Sequence, residues 1–183
     1  MRHSSNSVAL KNNKVIVNDS LVYETGVNTD PITFFKEIYK FLGLNYPKFF
    51  KMDPLSKLGF LASEILLSKI DEQNKENFNI LLACSHSSIE SDTQFQKTID
   101  DPSNYFPSPA VFVYTLPNIV IGEISIRLQI FGDNCMYLFD PKNRENFFEF
   151  AQEYTLHNYK TPTIVGYLDY NKQEYIAEFH FIN

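Results

Sequence analysis

The sequence predicts an α/β fold: a five-stranded, mostly parallel sheet with helices on both faces. Three observations predict it. Apolar runs of strand length alternate with stretches of helical periodicity, the pattern of a sheet covered on both sides. The run FNILLAC (residues 78–84) is apolar throughout, as strands buried on both faces are. Two Asp-Pro pairs, Asp30-Pro31 and Asp53-Pro54, each stand before a helical stripe.

In chain order, residues 1–12 are polar and are expected to form a flexible N-terminus, leaving 13–183 as a single domain. KVIV (14–17) is a short β-branched strand. Asp30 then caps a helix that Gly43 closes, and Asp53 caps a second one carrying Leu55, Leu58, Leu61, Ala62, Ile65 and Leu66 on one face. After the strand at 78–84, SHSSIESD reads as a polar loop, with Asp92 capping a short helix that ends at Pro102. An irregular, proline-rich stretch reaches Leu116, followed by a helix over 117–128. CMYLF (135–139) is the next strand, and the following helix places Phe147, Phe148, Ala151 and Tyr154 on one face. TPTIVGYLDY and EYIAEFHFIN form a closing antiparallel hairpin through Asn171 and Lys172.

At 183 residues the chain is of single-domain size, and 44% hydrophobic against 21% charged marks it as globular. Aromatic residues reach 15%, with 17 Phe and 11 Tyr, enough for a large core or an aromatic association surface. A net charge of −6 argues against nucleic acid or an anionic membrane as partner. No long apolar run suggests a signal peptide or a membrane span, so a cytoplasmic location is expected. Two cysteines make no disulfide framework, and no spacing suggests a metal or cofactor site.

Few side chains invite chemistry. Cys84 and His86, two apart at a strand end, form a candidate cysteine–histidine dyad for a cysteine-dependent enzyme, set against a structural reading of Cys84 as a small buried hydrophobe. His157 near a helix C-terminus reads as a cap, and His180 is expected on the face opposite Phe179 and Phe181. Lys57 and Glu64 read as a solvated helix face, and Arg127, alone among apolar residues, needs a structural partner.

Three segments resemble the N-terminal half of the β-ketoacyl synthases, thiolase-fold enzymes of fatty-acid and polyketide assembly. KMDPLSKLGFLASEIL resembles their Met-Asp-x-x-Ser-Lys helix, and SSIESDTQFQKTI their Ser-x-x-x-Asp-x-x-Phe segment. The long stretch SPAVFVYTLPNIVIGEISIRLQIFGDN resembles their Leu-Pro-Asn-x-x-x-Gly-x-(Ile/Val)-Ser-Ile-Arg run leading to a Gly-Pro-Asn turn. The resemblance spans roughly residues 45–170 and implies strand order 3-2-1-4-5 with the last strand antiparallel.

It also implies a catalytic cysteine at the ninth position after Gly132, and that position is Pro141, between Asp140 and Lys142. Proline has no thiolate to acylate and no N–H to hold an oxyanion. The family's second half, which supplies further catalytic residues, has no counterpart before Asn183. The resemblance therefore implies a non-catalytic partner, chain-length-factor-like or scaffold subunit in fatty-acid or polyketide (aryl polyene or resorcinol-type) biosynthesis, lacking 3-oxoacyl synthase activity. Its dimer edge would be Cys135, Met136, Tyr137, Leu138 and Phe139, pairing with a second copy or a full-length ketosynthase. An acyl carrier protein is a further implied partner, although both are acidic and long-range attraction is absent. The alternative is a module that binds an acyl ligand without a protein partner.

Overall fold

The computed structural model describes residues 6–70, 74–157, 161–172 and 174–183. Its sheet has seven strands rather than five. They are β1 (Ser7–Lys11), β2 (Lys14–Val17), β3 (Ser20–Glu24), β4 (Asn79–Cys84), β5 (Asn134–Leu138), β6 (Thr163–Tyr170) and β7 (Tyr175–Ile182), in the order β3-β2-β1-β7-β6-β4-β5.

Burial explains the order. Every residue of β4 and β6 is buried, so each needs a strand on both sides and a layer on both faces, and the two lie side by side in parallel. The strand at 14–17 alternates between buried and accessible residues, which suits the outer part of the sheet and not the centre where the expected order placed it. Only β4–β5 and β4–β6 are parallel, so the sheet is mixed rather than mostly parallel. The last strand is antiparallel, as expected.

Residues 7–11, assigned to a flexible N-terminus by sequence, instead pair with β7. Two turns create this meander. Asn12 and Asn13 (φ 51° and 57°) join β1 to β2, and Asn18 and Asp19 (φ 48° and 62°) join β2 to β3. Two-residue turns with both φ positive match the twist of antiparallel strands, and Asn and Asp tolerate that conformation. Asn13 is locked further: its side chain donates to the carbonyls of Gly26 (3.1 Å) and Thr29 (2.8 Å), and its backbone N–H donates to Tyr175 Oη (2.8 Å).

One face of the sheet carries α1 (Pro31–Phe41), α2 (Pro54–Leu67) and α5 (Ile119–Leu128); the other carries α6 (Arg144–His157). The Asp-Pro devices work as read: Asp30 accepts from Thr33 N–H and Asp53 from Ser56 N–H, both at 3.0 Å. α2 is buried nearly all round between the sheet, α1 and α5. Gly59 permits this approach, since a Cβ there would stand 2.5 Å from Val120 Cγ1. α3 (Ile89–Lys97) starts four residues before the expected helix, which puts Asp92 inside it rather than at its cap. α4 (Pro109–Phe112) is one short turn in the proline-rich stretch.

The Asp30 cap gives a direct test. Its bonds to Thr33 hold the carboxyl below its ordinary range. A lowered folded-state value contributes stability above the unfolded value and loses it as pH falls through the folded one. Asp30→Ala is expected to lower stability by about 1 kcal/mol at neutral pH. Urea denaturation at successively lower pH should show that difference shrinking through the carboxylate range.

Candidate functional site

Because β4, β5 and β6 run parallel, their carboxyl ends lie at one end of the sheet. The chain leaves β4 through α3, α4 and α5 to reach β5, with α5 on the α2 face, and leaves β5 through α6 on the opposite face to reach β6. Adjacent strands whose connections part to opposite faces leave a crevice between them, where open α/β sheets bind ligands.

On the β5 side the Asp140 carboxylate accepts from Lys142 N–H (2.8 Å) and its carbonyl from Asn143 N–H (2.8 Å). Pro141 opens the short helical turn that leads into α6. The side chain ordering this helix start is thus a cap. Next to it, Phe139 N–H donates to the Cys84 carbonyl (3.0 Å), tying the ends of β5 and β4 together.

Cys84 is fully buried, and burial, reinforced by the nearby Asp169 charge, pushes its thiol up to about 11. A thiol so shifted supplies almost no thiolate near neutrality. The structure does not join it to His86. The strand ends at Cys84, so the alternation that would place the two side chains together stops there.

His86 turns instead to Asp169 on β6. Its Nδ1 lies 2.7 Å from Asp169 Oδ2, and its backbone N–H donates to Oδ1 at 3.1 Å. Ser85 Oγ also donates to Oδ2, and Tyr167 Oη approaches it at 3.4 Å. Sequence reasoning missed Asp169, Ser85 and Tyr167. The available signal was a carboxylate within the otherwise apolar TIVGYLDY, in phase with Val165 and Tyr167 and hence on the α6 face.

β5 forms one edge of the sheet, and Phe139 follows directly after it. Leu138 is 65% exposed, and Phe131 (78%) and Ile126 (65%) are open just upstream. Cys135, Met136, Tyr137 and Phe139 are half-buried, three of them against the α6-side core and Met136 against the other. The other polar side chains singled out by the sequence have partners of their own. Arg127 pairs with Glu64 at 2.5 Å, so Glu64 is not a solvated side chain. Lys57 is buried, donates to the Met52 carbonyl and sits 5.9 Å from the Phe49 ring centre, again unlike the solvated face expected. His157 Nδ1 meets the Glu153 carbonyl at 2.7 Å, and His180 lies on the face opposite Phe179 and Phe181. Among the described residues no group of three or more His, Cys, Asp or Glu side chains is placed to hold a metal, and no single helix is long and apolar enough to cross a membrane.

The fold has close relatives in shape but not in sequence. A chain of the ishigamide ketosynthase/chain length factor superposes with a TM-score of 0.68 at 13% identity, over 98% of this chain and 61% of that one. This chain has the ketosynthase/chain length factor fold. A chain from the complex of a ketosynthase with its chain length factor from Xenorhabdus doucetiae superposes with a TM-score of 0.63 at 10% identity, over 99% of this chain and 77% of that one. No family model and no curated protein matches the sequence. The chain thus spans about three-fifths of the first relative's length.

The state of Cys84 can be read chemically. Iodoacetamide at neutral pH is expected to leave Cys84 unmodified in the folded protein and to alkylate it in urea, as followed by peptide mass spectrometry. Rapid stoichiometric modification in the folded state would restore Cys84 as a candidate nucleophile.

Proposed function

We propose that this chain is a non-condensing, chain-length-factor-like subunit that pairs with a ketosynthase in fatty-acid or polyketide assembly. The observation that carries this reading is the likeness over nearly the whole chain to structures of ketosynthases and chain length factors. Two features support it. The helix start that follows β5 carries Asp140 and Pro141, a cap at the position where the sequence resemblance would put a nucleophile. The neighbouring edge strand has no charged residue and ends in the exposed Leu138. An uncharged open edge readily pairs with another strand unless something covers it.

The test is association. The purified chain, mixed with a full-length ketosynthase of the same organism, is expected to co-elute with it and to be retained by a tag on the ketosynthase. Leu138→Lys, which puts a charge on an already exposed position, should weaken binding at least about tenfold with little loss of thermal stability. A chain that stays monomeric by light scattering at high micromolar concentration and is not retained by the ketosynthase would sink the proposal.

A further inference from the structure

The partner reading makes no use of His86 and Asp169, although a carboxylate in a fully buried strand is costly unless its oxygens are well bonded. We propose that His86, oriented by Asp169, is a general base that activates water for hydrolysis of an acyl thioester held over the carboxyl ends of β4, β5 and β6. The thioester class rests on the function proposed above; the geometry of the dyad does not.

Three observations carry the inference. First, both oxygens of Asp169 are engaged by one residue, Oδ2 by the His86 ring and Oδ1 by its backbone N–H, which fixes the ring's orientation. Second, a carboxylate only accepts, so Nδ1 carries the hydrogen in this network, and in the neutral ring the lone pair is then the one on Nε2. The His86 side chain is 51% exposed, whereas Asp169 is nearly enclosed at 11%. This is the division of labour in which a carboxylate orients an imidazole and the imidazole handles the proton. Third, β4 and β6 pair in parallel, so the dyad stands at the shared carboxyl end of these two strands.

The same geometry selects water over serine as the nucleophile. Ser85 Oγ lies 3.0 Å from Nδ1, the nitrogen already committed to Asp169, and gives its own proton to that carboxylate. A serine nucleophile would have to face the other nitrogen. In the proposed step a water proton passes to Nε2 as the water oxygen bonds to the carbonyl carbon. The carbon–sulfur bond then breaks, and the departing thiolate takes the proton back from Nε2. The products are a carboxylic acid and a thiol, and His86 is regenerated.

The probe is octanoyl-N-acetylcysteamine, with octanoate release followed by chromatography on the isolated chain. Release above the buffer rate is expected. His86→Ala should reduce it at least about 100-fold, in line with the usual worth of a general base. Added imidazole should restore part of the lost rate, which a merely structural histidine would not allow. Asp169→Asn should lower kcat with KM nearly unchanged. If His86→Ala does not fold, His86→Gln, whose amide can still donate to Asp169, is judged by the same loss of rate. Wild-type release no faster than buffer, or full activity in the folded His86 variant, overturns the proposal. Failure here with ketosynthase binding intact overturns the dyad alone; hydrolysis without ketosynthase binding overturns the subunit reading alone.

Discussion

Complete burial of two neighbouring parallel strands is the constraint from which the rest of the architecture follows. β4 and β6 show no accessible residue, so each of their faces must be roofed and each of their edges paired. α2 and α5 roof one face and α6 the other, while β5 and β7 take the outer edges. Connecting β4 to β5 on one face and β5 to β6 on the other then opens the crevice at the carboxyl ends. Asp169, in phase with Val165 and Tyr167, lies at that end on the α6 face of the sheet.

Local chemistry carried most of the sequence reading. The two Asp-Pro caps, the buried strand at 79–84 and the closing hairpin are each determined within a few residues, and each is visible without the structure. The missed features depend on partners far away or on a turn signal that was passed over. Asn12-Asn13 and Asn18-Asp19 are strong two-residue turn pairs flanked by alternating apolar residues, and they would have revealed β1 and β3. The position of the strand at 14–17 in the sheet has no local signature, because it is decided by what β7 pairs with at the other end of the chain.

The same division separates the two halves of the site. The helix start at Asp140 is a local device, settled by an Asp-Pro pair and a carboxylate that accepts from Lys142 N–H. The His86–Asp169 contact joins residues more than 80 positions apart, and no spacing in one sequence reports such a contact. Lys57 fails for a related reason. Helical periodicity marks one face as apolar, but α2 is enclosed on nearly every side, so a residue on its supposedly free face is buried as well.

The pairing of β1 with β7 brings the two ends of the chain together: Ser7 stands opposite His180. The sheet is therefore joined by contacts between strands far apart in the sequence. The β1–β2–β3 meander can form early, since its contacts are local, but it joins the rest of the sheet only once β7 is in place. The β1–β7 ladder is thus the seam of the fold whose formation closes the longest loop.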